Sequence, residues 1–250
     1  MVSGPMLDFG PDTFGTLNAN DYDALHDPGT TEESVALIAE LAGPDARLLE
    51  LAIGTGRIAL PLKQRGFDIS GIEGSPDMVD ILRGKPGGAD IPVVIGDMAD
   101  CRIAGEYDFA FLVFNTLFNL TSQDAQLRCF ANAARHLAPG GGFLVETFVP
   151  DFSAFHDHQS LRTMRIGMGS LLFEAKLHDP VNQRIDYQRV RITGNGTKLI
   201  PLQMRYAWPQ EIDLMAKLAG LERENRWTGW TKEPFTRTSR MHVSLYRKPA

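Results

Sequence analysis

The chain has 250 residues, 43% of them apolar, which is enough for a sizeable core in one globular unit that also carries a lid. Lys and Arg number 25 against 31 Asp and Glu, a net charge of −6, and no basic run suited to a phosphate backbone is present, which argues against nucleic acid as a partner. Two cysteines are too few for a disulfide framework, and no apolar run reaches the roughly 18 residues of a membrane span, so we expect a cytoplasmic protein with no membrane partner.

The first segment, residues 1–29, is rich in Gly, Pro, Asp and aromatic residues. This composition predicts an irregular or weakly helical arm. A helix is then predicted to begin at Thr30 and Thr31, where Glu33 follows in a capping pattern, and to end at Gly43.

The next segment, residues 30–154, alternates short apolar runs with amphipathic stretches. The runs are LLELAI, DISGIE, IPVVIG, YDFAFLVFN and GGFLVETFV, and the stretches between them include RIALPLKQRG, PDMVDILRG and SQDAQLRCFANAARHLAPGG. Strands that alternate with helices predict an α/β fold, a doubly wound, Rossmann-like sheet with helices on both faces.

The pattern of apolar and polar residues changes again after Pro150. Residues 155–208 contain the strand-like runs LLFEAKLHD, RIDYQRVRIT and KLIPLQMRYAW, separated by turn signals, and predict an antiparallel meander of three strands that acts as a lid. Residues 209–250 then predict a helix that begins at Pro209 and two further strands, GLERENRW and MHVSLYRK. The complete prediction is a mostly parallel seven-stranded sheet with an antiparallel insert after its fifth strand.

The glycine-rich turn GTGRIA follows the first predicted strand. Such a turn suits either the dinucleotide of a dehydrogenase or another adenosine cofactor, because a helix N-terminus attracts any anion. Glu50 lies inside that strand, four residues before Gly54, where a charge is costly unless it has a purpose. Glu73 ends the second strand in a position to bind ribose hydroxyls, and Asp97 with Met98 ends the third, offering a carboxylate and a thioether to an adenine. The carboxylate and thioether after the third strand favour another adenosine cofactor over the dinucleotide of a dehydrogenase.

The stretches ELAIGTG, GIEGSPDMV, VVIGDM, FLVFNTLFNL and HLAPGGGFLVE resemble the ordered motifs of the class I S-adenosylmethionine-dependent methyltransferases. The resemblance covers about residues 20–150. Within that family the chain is similar to enzymes of small molecules, including the sugar N-methyltransferases of antibiotic pathways. Ala52 departs from the pattern, since the family's first glycine usually stands there.

The resemblance implies S-adenosylmethionine as the cofactor, S-adenosylhomocysteine as the product, and a set of binding residues. Tyr22 in the N-terminal arm is expected to cover the cofactor. The implied cofactor-binding residues are Tyr22, Glu50, Ala52, Gly54, Thr55, Gly56, Arg57, Glu73, Gly74, Ser75, Met78, Gly96, Asp97, Met98, Phe114 and Asn115.

Candidate catalytic residues are fewer and less specific. A proton must leave a hydroxyl or ammonium acceptor, and His156 and His158 lead because they follow the fifth strand, where ligand crevices form; their alternative is a solvated loop. His26, His178 and His242 are the other candidates, and Tyr22 is also considered. No metal is predicted, since the H-x-H pair has no third ligand at a recognisable spacing.

Several polar and aromatic residues beyond the strands are suited to gripping an acceptor, and their alternatives are a structural hinge for residues 205–208, a simple turn for Asn119, a cover of the sheet edge for Trp230 and a solvated side chain for Arg240. The candidate acceptor-binding residues are Phe118, Asn119, Arg205, Tyr206, Trp208, Trp230 and Arg240.

The leading interpretation is therefore a methyltransferase that acts on nitrogen or oxygen of a small-molecule metabolite by in-line displacement. An NAD-dependent oxidoreductase, for which GTGRIA and Glu73 would suffice, and a non-catalytic cofactor-binding protein are the alternatives. A homodimer is an assembly that the interpretation allows.

Overall fold

The computed structural model describes residues 10, 12–19, 22–25 and 29–250. The helices are α1 (Thr13–Asn18), α2 (Tyr22–Leu25), α3 (Thr31–Ala42), α4 (Ala59–Gln64), α5 (Pro76–Arg83), α6 (Gln123–His136) and α7 (Pro209–Leu218). The strands are β1 (Arg47–Leu51), β2 (Asp68–Glu73), β3 (Val93–Ile95), β4 (Tyr107–Leu112), β5 (Leu137–Phe148), β6 (Gln159–Gly167), β7 (Ser170–Asp179), β8 (Arg184–Thr193), β9 (Gly196–Arg205), β10 (Glu222–Trp227) and β11 (Met241–Arg247).

The main sheet has seven strands in the order β10-β11-β5-β4-β1-β2-β3. Strands β1 to β5 run parallel, and β11 is antiparallel to both of its neighbours. The predicted fold class is confirmed. The strand order reverses between β1 and β4, and ligands of open α/β sheets bind beyond the carboxyl ends of the strands at such a reversal.

Both faces of this sheet are covered, which explains why its strands read as continuous apolar runs. Buried side chains of α6 and α7, such as Phe130 and Ile212, pack on one face with Leu49 of β1. Buried side chains of α3 and α4, such as Ile38 and Leu62, pack on the other face. Within the described residues, no helix combines the length and the hydropathy that a membrane span requires.

The segment after β5 forms a separate antiparallel sheet of four strands, β6-β7-β8-β9. The sequence predicted three, so that prediction was wrong by one strand. The missed strand is β6, whose residues are almost all exposed and whose pairing with β7 shifts register between Thr163 and Arg165. An exposed edge strand with a bulge lacks the apolar alternation on which the sequence prediction relied.

The two faces of the four-stranded sheet differ in composition. The inner face, which includes the buried residues Glu174, Ile185 and Leu202, packs toward the core. The outer face carries exposed apolar side chains: Leu161, Ile166, Leu177, Ile192 and Leu199.

Candidate active site

A cavity of about 200 Å³ lies at the carboxyl edge of the main sheet. Residues of the N-terminal helices, of the turns after β1 to β4 and of the four-stranded sheet share its walls. Its lining residues are Gly10, Gly15, Tyr22, Ala52, Gly54, Glu73, Gly74, Met78, Gly96, Asp97, Met98, Phe114, Asn115, Thr116, Asn119, Leu120, Arg189, Leu202 and Met204. Eleven of these belong to the predicted cofactor-binding set, since Tyr22, Ala52, Gly54, Glu73, Gly74, Met78, Gly96, Asp97, Met98, Phe114 and Asn115 occur in both.

Glu50 ends up almost fully buried beneath the turn that follows β1, and its Oε2 has no hydrogen-bond partner in the described residues. Burial raises the pKa of this carboxyl well above its usual range, although the charge of Arg57 opposes that shift. The Arg57 guanidinium lies 5.2 Å from the centre of the Phe114 ring and donates a 3.0 Å hydrogen bond to Thr31 Oγ1. An uncompensated carboxylate at this depth is costly, and a bound cation would relieve the cost.

Glu73 is buried at the end of β2 and holds the glycine turn in place. Its carboxylate accepts hydrogen bonds from the backbone N–H of Gly54 at 2.8 Å and of Ser75 at 2.9 Å. Burial raises the pKa of Glu73, while these backbone donors act in the opposite direction. Gly54 has a φ of 57°, in the left-handed region where glycine avoids the steric penalty of a side chain. The same side chain therefore shapes the turn and faces the cavity.

The turn after β3 brings a second carboxylate to the cavity. Asp97 is half-buried, and its Oδ1 accepts a 2.8 Å hydrogen bond from the N–H of Ala99. That bond fixes the turn. Met98 lies beside it and is buried.

Glu146 of β5 is a residue that the sequence interpretation missed. Its buried carboxylate accepts a 2.6 Å hydrogen bond from the Phe114 N–H and a 3.1 Å bond from the Trp230 indole N–H. These contacts hold Phe114 and Asn115 with φ values of 60° and 62°, which turn the chain after β4 into the cavity wall. A lone acidic residue in the apolar run GGFLVETFV was the available signal, the same one that identified Glu50.

The described part of the N-terminal arm closes one side of the cavity. Helix α1 approaches α5 so closely that a Cβ on Gly15 would lie 2.2 Å from the Cβ of Ser75. Asp23 of α2 accepts a 2.6 Å hydrogen bond from Thr55 Oγ1 and forms a 2.6 Å ion pair with Lys85. These contacts hold α1 against the start of α5 and α2 against the turn after β1.

Tyr22 lines the cavity, but its phenol does not suit the role of a base. Burial, with smaller effects from neighbouring charges, raises the pKa of Tyr22 to about 12. The phenol is therefore protonated at neutral pH, so it offers a hydrogen-bond donor and an aromatic face.

The structure does not bring the candidate histidines to the cavity. His156 and His158 are exposed, so the expectation that they face the crevice is corrected. His178 is buried against Phe152, with ring centres 4.0 Å apart, and His242 is enclosed by hydrogen bonds to Thr147 and Ser244. His26 lies outside the described residues.

Of the seven candidate acceptor residues, Asn119 alone lines the cavity. Its Oδ1 is buried and has no hydrogen-bond partner in the described part of the chain. The other six are placed elsewhere, for the reasons that follow.

Pairing and packing account for those six positions. Arg205 is buried in a 2.6 Å ion pair with Glu211, and Arg240 pairs on the surface with Asp151. Phe118 packs edge-on against Phe148. The remaining three are Tyr206, which bonds to His178, Trp230, which bonds to Glu146, and Trp208, which stands partly exposed at the start of α7.

Comparisons with known proteins decide the family. A family model described as a methyltransferase domain matches residues 48–141. The solved structure of the CcbJ methyltransferase from Streptomyces caelestis is 33% identical to this chain, covers 97% of it and 100% of its own chain, and superposes with a TM-score of 0.90. The chain belongs to the S-adenosylmethionine-dependent methyltransferases. This membership decides against the NAD-dependent oxidoreductase and the non-catalytic protein.

Two further relatives match most of the length of this methyltransferase at lower sequence identity. The cypemycin N-terminal methyltransferase of a Streptomyces species is 27% identical over 205 residues, which is 80% of this chain and 83% of the relative. The structure of S-adenosylmethionine-bound CalS10, an amino pentose methyltransferase from Micromonospora echinaspora involved in calicheamicin biosynthesis, covers 92% of this chain and 95% of its own at 21% identity. Its TM-score of 0.67 shows a shared fold.

The residues of the methyltransferase fit its cofactor, S-adenosylmethionine. The cofactor carries a sulfonium and an ammonium, and the site gathers the carboxylates of Glu50, Glu73 and Asp97 around the carboxyl ends of β1 to β3. The orphaned Oε2 of Glu50 and the orphaned Oγ of Ser75 are buried polar atoms that a bound ligand would satisfy.

Proposed function

We propose that this methyltransferase transfers the methyl group of S-adenosylmethionine to an amine nitrogen of a small-molecule acceptor held between the core and the lid of residues 155–208. The observation that carries the proposal is the shared cavity. Glu73 and Asp97 of the core and Arg189, Leu202 and Met204 of the four-stranded sheet line the same space.

The cofactor-binding roles follow from this placement. Glu73 would bind the ribose hydroxyls, and Asp97 with Met98 would frame the adenine. Glu50 and Arg57 would lie at the methionine end, where their opposite charges match its ammonium and carboxylate. Tyr22, carried by the arm of residues 1–29, would cover the bound cofactor.

The chain's contribution to the chemistry is alignment and exclusion of water. When bound, S-adenosylmethionine supplies an electrophilic methyl group. Side chains of the arm, the core and the lid enclose the cavity, and well-aligned groups contribute about 7–11 kcal/mol by removing the entropy of encounter. The buried, unpartnered Oδ1 of Asn119 would accept a hydrogen bond from the acceptor and so orient its nitrogen.

An amine is favoured over a hydroxyl because of what lines the cavity. The described lining contains no histidine, the Tyr22 phenol is protonated, and the two lining carboxylates, Glu73 and Asp97, are assigned to the cofactor, so no lining group is left to take the proton of a hydroxyl. A neutral amine already carries the lone pair that attacks. The amino pentose in the name of CalS10 and the N-terminus in the name of the cypemycin enzyme support the same class.

The test uses S-adenosylmethionine with a deuterated methyl group. The purified enzyme is incubated with a metabolite extract, and mass spectrometry identifies the small molecules that gain the label. A parallel extract is first treated with an amine-selective acetylating reagent, and S-adenosylhomocysteine serves as the inhibition control. Labelled product in the untreated extract alone is expected. Product that survives acetylation would indicate an oxygen acceptor, and no product in either extract would refute small-molecule methylation.

We also propose that the outer face of the four-stranded sheet pairs two copies of the chain. Leu161 is 73% exposed and Ile166 79% exposed on that face, and soluble monomers rarely expose contiguous apolar patches of this kind. Four strands of about ten residues span roughly 600 Å² per copy, so a pair buries about 1,200 Å², enough for a specific interface.

Light scattering after size exclusion tests the dimer. The wild type is expected to elute with twice the monomer mass, and Leu161→Lys with Ile166→Lys to shift it toward the monomer. A wild-type monomer at high micromolar concentration would overturn the assignment.

A further inference from the structure

The inner face of the four-stranded sheet carries an excess of positive charge. Three consecutive cross-strand rows make up this region: Ser160, Lys176, Tyr187 and Leu202; Arg162, Glu174, Arg189 and Ile200; Arg165, Leu172, Arg191 and Lys198. Six cationic side chains and one carboxylate give these twelve positions a net charge of +5, in a chain whose total is −6. The charge is therefore concentrated, and a region of this sign attracts anions.

The single carboxylate is already engaged. Glu174 is buried and accepts a 2.8 Å bond from Arg189 Nε and a 2.9 Å bond from Lys176 Nζ. Burial would raise the pKa of Glu174, but these partners outweigh it and lower the pKa below its usual value, so the group is charged at neutral pH. Glu174 thus offsets one of the two positive charges beside it, and the three rows keep an excess of positive side chains.

Three arginines on this face have no such partner. Arg162, Arg165 and Arg191, together called the arginine row, form no ion pair with any residue that the structure describes. The arginine row therefore carries three positive charges that no described carboxylate offsets through an ion pair.

The arginine row continues the wall of the cavity. Arg189 lines the cavity, and Arg191 lies two residues further along the same strand on the same face. With a rise of about 3.3–3.4 Å per residue, the cross-strand row of Arg165 and Arg191 lies roughly 7 Å beyond the row of Arg162 and Arg189. A molecule with one end in the cavity therefore reaches the arginine row with its other end.

We infer that the arginine row binds an anionic oxygen group, a phosphate or a carboxylate, carried by the methyl acceptor at a distance from its amine of roughly 7 Å or more, the separation of the rows. Guanidinium groups pair with such anions through two parallel hydrogen bonds, which fix orientation as well as charge. The anion would anchor the acceptor while Asn119 orients its nitrogen. This inference rests on the proposed function and adds the chemical class of the acceptor.

The test uses three probes of equal length: 6-aminohexyl phosphate, 6-aminohexanoate and 6-aminohexanol. Each is titrated by calorimetry into the enzyme saturated with S-adenosylhomocysteine, and each is then assayed for methylation with S-adenosylmethionine. The variants are the double substitution Arg165→Gln with Arg191→Gln and the control Arg102→Gln, an exposed arginine that lies just before the amino end of β4.

The anionic probes are expected to bind about tenfold or more tightly than the alcohol, as charge-assisted hydrogen bonds imply. The double variant should lose that preference through KM with little change in kcat, and the control should keep it. The relative affinity of the phosphate and the carboxylate identifies which anion the acceptor carries.

Equal binding of all three probes, or a preference that survives in the double variant, would overturn the inference. Normal S-adenosylhomocysteine binding in those same samples would leave the proposed function standing. Failure to bind S-adenosylhomocysteine would instead refute the proposed function itself.

Discussion

Replacing Glu73 with Gln tests the central carboxylate of the cofactor site. The two carboxylate oxygens of Glu73 accept backbone hydrogen bonds from Gly54 and Ser75, at 2.8 Å and 2.9 Å. An amide has one acceptor oxygen, so in the variant an NH₂ group faces one of these two N–H donors, and the charge offered to the ribose is lost. Charge-assisted hydrogen bonds contribute about 1.5–3 kcal/mol, so we expect the Kd for S-adenosylhomocysteine to rise roughly 10- to 150-fold.

Calorimetric titration with S-adenosylhomocysteine measures this change without turnover. Glu106→Gln is the matched control, since Glu106 is exposed in the loop before β4. Thermal unfolding of both variants separates loss of binding from loss of fold. A folded Glu73→Gln protein whose Kd lies within twofold of the wild type would refute the role assigned to this carboxylate.

Three further substitutions test other features of the structure. Because burial raises the pKa of Glu50, its carboxyl destabilises the fold at neutral pH, and this cost falls as pH drops toward the pKa that the group has in the unfolded chain. Glu50→Gln should therefore raise Tm at pH 7, with a smaller gain at pH 5, and weaken cofactor binding. An unchanged Tm at pH 7 would contradict this. Ala52 has a φ of 55°, a backbone conformation that costs an alanine about 1–2 kcal/mol and a glycine very little. Glycine also raises the entropy of the unfolded chain, which offsets about 0.4–1 kcal/mol of that gain, so Ala52→Gly should raise the free energy of unfolding by roughly 0.5–1 kcal/mol in urea titrations. A destabilised variant would count against strain at this position. Burial lowers the pKa of His242 to about 3, so the neutral ring contributes fully to stability above pH 6.5, and this contribution falls by about 1.4 kcal/mol per pH unit between pH 6.5 and 3. His242→Gln should make the free energy of unfolding less dependent on pH in that range. The same pH dependence in both proteins would reject the lowered pKa of His242.

The cofactor half of the site was predictable because its signals are local. Glu50 lies within the first strand, Glu73 ends the second and Asp97 follows the third, and parallel strands bring their carboxyl ends to one edge. The covalent order of strand, turn and helix is therefore enough to place these side chains near one edge of the sheet. Glu146 obeys the same logic and was open to the same prediction.

The acceptor half was not predictable from such signals. Arg205 was predicted to bind the acceptor because arginine is a common ligand-binding side chain. In the fold, its guanidinium forms an ion pair with Glu211 and donates a hydrogen bond to Gln126. Trp230 was a candidate acceptor-binding residue, yet its indole N–H donates a hydrogen bond to Glu146. Strand β6 escaped prediction because an exposed edge strand carries no alternation of burial.

The sequence alone determined the class of fold, the cofactor and the order of the carboxylates, because strand periodicity and turn chemistry act over a few residues. Only the tertiary structure decided which polar side chains remain available for an acceptor. Their availability depends on partners far away in the chain, as for Trp230 and Glu146, 84 residues apart. It also decided that the arginine row continues the cavity wall, since pairing between strands sets which residues share a face.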